Sequence, residues 1–159
     1  MSRKLNLLVV FTGIAVIALL NSCSNEIIDE EKPTISINYS DGFPSACENL
    51  NRGQSYAIKA KVTDNLELAS YSVEIHHNFD HHTHDDQLVD CTLDPVKSAV
   101  NPLVFSKSGV INGQLTEYEI NQAITISETV DTGDYHLALS VTDITGWQAR
   151  TSVDIKIVE

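Results

Sequence analysis

A two-residue apolar rhythm that recurs from residue 34 to the C-terminal strand constrains this chain more than any other feature. Successive side chains of a β-strand point to opposite faces, so such alternation marks a strand with one face buried. Tyr56, Ile58, Ala60 and Val62 alternate in this way, as do Tyr71, Val73 and Ile75. So do Tyr135, Leu137, Leu139 and Val141, and later Val153, Ile155 and Ile157. Residues 34–39 form a shorter alternating stretch, and Tyr118, Ile120, Ile124 and Ile126 supply a weaker one. No stretch of this region keeps a helical apolar period over three turns. Turn residues separate the runs, at Asp64-Asn65, Thr132-Gly133-Asp134 and Thr145-Gly146. Short strands with this spacing predict an all-β chain folded as a two-sheet β-sandwich.

Two segments narrow the class. Residues 133–146 resemble the penultimate strand and last hairpin of bacterial immunoglobulin-like and cadherin-like domains, and residues 60–75 resemble their second and third strands. The resemblance implies an immunoglobulin-like sandwich over residues 33–159. Both segments contain Val-Thr-Asp, ending at Asp64 and Asp143. Each reads as a strand end closed by an Asx turn. Neither has a D-x-D partner, so a calcium site is not expected there.

The N-terminus reads as an address. Arg3 and Lys4 precede an apolar stretch from residue 5 to residue 20, followed by Leu20-Asn21-Ser22-Cys23. This pattern predicts a lipoprotein signal peptide over residues 1–22, too short for a membrane-spanning helix. Cys23 is the expected lipidation site, and residues 23–32 form an acidic tether. The tether resembles the acidic signals that follow the lipidated cysteine in surface-exposed lipoproteins of Bacteroidetes-type bacteria. The expected location is therefore the cell envelope, by way of the outer membrane, periplasmic or surface-exposed. Without Arg3 and Lys4 the chain has 8 basic against 22 acidic residues, a net charge of −14. That sign argues against nucleic acid as a partner. In an exported domain Cys47 and Cys91 read as a disulfide, with thiolate ligation by Cys91 as the rival role.

Five of the six histidines, His76, His77, His81, His82 and His84, lie within nine residues, interleaved with Asp80 and followed by Asp85 and Asp86. Neutral imidazole is a common ligand for zinc and copper near neutral pH. The spacing matches no zinc-finger or metalloprotease motif. The pairing of strands supplies the missing link. In immunoglobulin order residues 68–77 form the third strand and residues 135–141 the sixth, antiparallel neighbours. Val73, Ile75 and Leu137 point inward, so Glu74, His76 and His136 point outward, which sets His76 beside His136. His82-Thr83-His84 can present two further rings to one face. The expected zinc or copper ligands are His76, His82, His84 and His136, with His81 as the substitute. His77 is expected to pack at the core edge, Phe79 to anchor the loop, and Asp80, Asp85 and Asp86 to ligate or to orient imidazoles. Glu74 reads as a solvent-facing strand glutamate.

Residues 32–35, 41–44, 71–84, 101–103 and 133–136 also resemble a family of Bacteroidetes lipoproteins, domain of unknown function 4625. The resemblance covers most of residues 32–159 and implies a lipid-anchored immunoglobulin-like domain with no known activity. No G-x-S-x-G, phosphate loop or convincing Ser-His-Asp spacing is present, so no enzyme is expected. Two functions compete. One is capture, buffering or transfer of zinc or copper at the envelope. The other is an adhesion or accessory module, docked on another envelope protein, for which the histidine loop is only a contact surface.

Overall fold

The protein is described here from a computed structural model, over residues 28–84, 89 and 91–159. The expected signal peptide, Cys23, Asp85 and Asp86 lie outside the described residues. The chain divides into two compact units, Met1–Glu30 and Glu31–Glu159. The second holds the eight strands found among the described residues. They are β1 (Thr34–Ser36), β2 (Glu48–Asn51), β3 (Ser55–Thr63), β4 (Leu68–His77), β5 (Phe105–Val110), β6 (Glu117–Thr125), β7 (Gly133–Asp143) and β8 (Gln148–Val158).

They form two sheets, one of three strands in the order β1-β3-β6 and one of five in the order β2-β8-β7-β4-β5. The architecture is an all-β, immunoglobulin-like sandwich. Its core is built from the alternating residues. Ile58, Ala60, Val62 and Ile120 from the three-stranded sheet meet Val73, Ile75, Leu137, Leu139, Val141, Ile155 and Ile157 from the other, and all are buried. Tyr135, near the start of β7, donates its hydroxyl to the Asp131 carbonyl at 2.7 Å. A tyrosine there, bonded to backbone a few residues upstream, is the tyrosine corner of this fold class.

Two strands depart from the sequence reading, which left β2 and β5 unassigned. Only Leu50 is buried in β2, and no residue of β5 is. Both are edge strands, so neither shows the one-sided burial that writes alternation into a sequence. β2 runs parallel to β8, whereas the other pairings are antiparallel.

Cys47 and Cys91 form a disulfide, which excludes the thiolate role for Cys91. The bond closes a loop of 44 residues, for which chain-entropy arithmetic gives about 4 kcal/mol of stabilisation. It ties the long β4–β5 connection to the start of β2, where Cys47 N–H also donates to the Asp154 carbonyl at 2.8 Å. Lys156 reinforces the tie, its ammonium lying 2.7 Å from Asp94 and 3.2 Å from Asp134.

Candidate metal centre

The site begins as a row of three side chains on one sheet face. β4 ends at His76-His77 and β7 opens with Gly133-Asp134-Tyr135-His136. The register sets His76 directly opposite His136, and His136 directly opposite Asp154 of β8. Their neighbours Ile75, Leu137 and Ile155 enter the core, so the row lies on the outer face.

The chain then folds back over that row. Asn78 N–H donates to the Asp134 carbonyl at 2.8 Å. Phe79 is buried, edge-on to Tyr135 at 5.2 Å and stacked on His77 at 4.8 Å. Gly133 takes a φ of 120°, and a Cβ there would press on the Phe79 ring at 3.2 Å. Glycine at this position lets β7 start beneath the aromatic anchor. Residues 82–84 therefore cover the row, and His136 is fully buried. The sequence reading put His136 on the solvent face of the sheet. It is on that outer face, but the returning loop removes the solvent.

Four imidazoles meet there. The centroid of the His76 ring lies 5.3 Å from that of His82, 5.2 Å from that of His84 and 5.6 Å from that of His136. The remaining separations are 5.2 Å between His82 and His84, 4.9 Å between His82 and His136, and 4.6 Å between His84 and His136. Nε2 of His76 lies 3.1 Å from Nε2 of His82 and 3.2 Å from Nε2 of His84. Ring nitrogens of these three all fall within 4.8 Å of one another.

Carboxylates orient two of the rings. Nδ1 of His82 donates to Asp80 at 2.7 Å, which leaves the His82 Nε2 lone pair facing His76. A single hydrogen on His76 Nε2 would have to be split between His82 and His84. Nδ1 of His136 donates to the buried carboxylate of Asp154 at 2.6 Å. Its Nε2 lies 3.1 Å from the His82 carbonyl. Carboxylate–histidine pairs of this kind fix the orientation of metal-binding imidazoles. Burial pushes the His76 pKa down from 6.5 to about 4, and the His136, His84, His82 and His77 rings push the same way. His76 thus keeps a free lone pair through the neutral range. The hydrogen bond from His82 holds Asp80 below the usual carboxylate range.

The structure separates the other two histidines from this group. His81 takes a φ of 60° and turns its Nε2 to the Asp94 carbonyl, 2.8 Å away. There it braces the β4–β5 connection, away from the other four rings. His77 packs on Phe79, as its inward register implies. Asp154 was not singled out from the sequence, although the alternation of β8 and the short β7–β8 hairpin carry its position. Beside His76 and His84 a cleft of 560 Å³ opens, lined also by Ser72, Glu74, Ser140 and Arg150.

The family described as Domain of unknown function (DUF4625) matches residues 21–158, which span the whole sandwich and every histidine of the site. The chain belongs to this family. No curated protein shows significant similarity to it. Membership of DUF4625 thus brings no activity with it, and the function of this DUF4625 chain has to be argued from its own side chains.

Proposed function

We propose that this protein captures, buffers or passes on one zinc or copper ion at the cell envelope, held by His76, His82, His84 and His136, and that it is not an enzyme. One observation carries the reading: the six ring–ring separations of 4.6–5.6 Å. Imidazole binds zinc at about 2.0–2.1 Å, which puts the centres of four tetrahedral imidazoles about 5.2 Å apart and their nitrogens about 3.3 Å apart. The six ring–ring separations stand near the first value, and the Nε2 contacts of His76 with His82 and His84, 3.1 and 3.2 Å, approach the second, while His136 lies outside this nitrogen cluster. His136 would join the ligand set by giving up the contact of its Nε2 with the His82 carbonyl. Four imidazoles fill a tetrahedral shell and leave no open position for a reacting water, which favours carriage over catalysis. Nitrogen donors without a thiolate favour zinc or copper over calcium or magnesium.

The anchor is the second half of the proposal. Cys23 carries the lipid that holds the sandwich to the envelope through the acidic tether, and Cys23→Ser should release the protein or leave its signal peptide in place. The metal reading is tested by titrating zinc and copper into the purified chain by calorimetry, with native mass spectrometry for stoichiometry. The expected result is one ion per chain, with His76→Ala and His136→Ala each losing more than the about 10–100-fold typical of changes outside the ligand shell. Unchanged affinity in both variants would reduce the cluster to a contact surface and favour the accessory-module alternative.

A further inference from the structure

The end of the sandwich away from the histidines carries a second unusual arrangement. Leu68 at the start of β4 pairs with Asp143 at the end of β7, which is the opposite end of both strands from His76 and His136. Two turns meet there, the β3–β4 turn after Asp64 and the β7–β8 turn after Asp143. Ile144 N–H bridges them, donating to the Glu67 carbonyl at 2.8 Å.

Each turn is closed by one oxygen of its aspartate. Oδ1 of Asp143 accepts from the backbone N–H of Thr145 at 2.8 Å, Gly146 at 2.7 Å and Trp147 at 2.9 Å, and from the Thr145 hydroxyl at 2.9 Å. Oδ2 of Asp64 accepts from Leu66 N–H at 2.8 Å. The remaining oxygen of each has no such role. Asp143 is only 2 % exposed, yet its Oδ2 is buried without a hydrogen-bond partner among the described residues, as is Oδ1 of Asp64. A carboxylate oxygen of Asp64 and one of Asp143 lie within 4.8 Å of each other. The turns account for one oxygen of each carboxylate and leave the other buried without a hydrogen-bond partner among the described residues. Buried charge of one sign needs a counter-charge or a proton.

We infer that Asp64 and Asp143 hold a hard divalent cation, calcium in class, at this end of the domain. The donors are oxygens only, which suits calcium and not the borderline metals of the histidine end. Backbone carbonyls and water complete the six to eight oxygens such an ion takes. The inference is independent of the histidine site, since no residue is shared. It also revises the sequence reading of both aspartates as plain Asx turns: each is an Asx turn through one oxygen and a cation ligand through the other.

Trp147 is the only tryptophan of the chain, and its backbone N–H donates to Asp143. Terbium, which replaces calcium on oxygen ligands, should therefore show tryptophan-sensitised luminescence when added to the purified full chain. The expected result is saturable emission that calcium displaces, with Asp64→Asn and Asp143→Asn each weakening it about tenfold or more, as the loss of a charged ligand does in calcium sites. His76→Ala should leave it unchanged. As a second readout that does not depend on Asp143, calcium should raise the melting temperature of the parent and not of Asp64→Asn. Emission that neither calcium nor either substitution alters would reflect the acidic surface alone and overturn the site. A melting temperature indifferent to calcium would do the same.

Discussion

At the histidine end of the sandwich the donors are nitrogens gathered from distant parts of the chain, while at the aspartate end they are oxygens held by the turns that carry them. His76 and His136 are 60 residues apart, and His82 and His84 reach them only because a loop folds back over the sheet. Asp64 and Asp143 each close their own turn, and the sheet register brings the turns together. The first arrangement depends on tertiary tethers and the second on local geometry. Perturbations of the long connection should therefore damage one end and spare the other.

Removing the disulfide is the strongest such perturbation. Cys47→Ser with Cys91→Ser should cost about 4 kcal/mol of stability in chemical denaturation. At temperatures where the variant is still folded it should bind zinc more weakly, because Cys91 and the β4–β5 connection lose their tie to the start of β2. Terbium luminescence should keep the parent's affinity. Equal losses at both ends would contradict the distinction between tethered and local sites.

Next in size is the support of His136. Asp154→Asn keeps the shape of the side chain and removes the carboxylate that accepts from His136 Nδ1 at 2.6 Å. Zinc affinity, read by competition with a chromophoric chelator, should fall by about 10–100-fold, as for other outer-shell carboxylates. An unchanged affinity would take His136 out of the ligand set.

Much of the histidine end is legible in the sequence, and the limit of that legibility is physical. Alternation in β4 and β7 fixes which residues leave the core, and the pairing rule of the fold then brings His76 beside His136. The covering loop is harder to read. Its path rests on the burial of Phe79, the φ of Gly133 and the turn at His81, where the side chain bonds to Asp94 and not to the cluster. No local pattern separates His81 from His82. The edge strands β2 and β5 escape for the opposite reason, since they bury too little to show a period. At the aspartate end the Asx turns are legible, but the second oxygen of each carboxylate is not, because its convergence is a fact of sheet register.

The smallest effect concerns pH. In chelator-treated protein His76 has its pKa lowered from 6.5 to about 4, mainly by burial. The unfolded chain therefore binds a proton that the folded chain refuses in that interval. The stability contribution is present above pH 6.5 and is lost as the pH falls toward about 4. Denaturation midpoints should fall across this range in the parent and fall less in His76→Asn.

The coordination shell of the loaded ion tests the central claim most directly. X-ray absorption at the zinc edge of the singly loaded protein should show four nitrogen scatterers at about 2.0–2.1 Å with the multiple-scattering signature of imidazole. In His136→Ala one of the four should be replaced by oxygen. A shell with one or two imidazoles, or one dominated by oxygen in the parent, would contradict the four-histidine site.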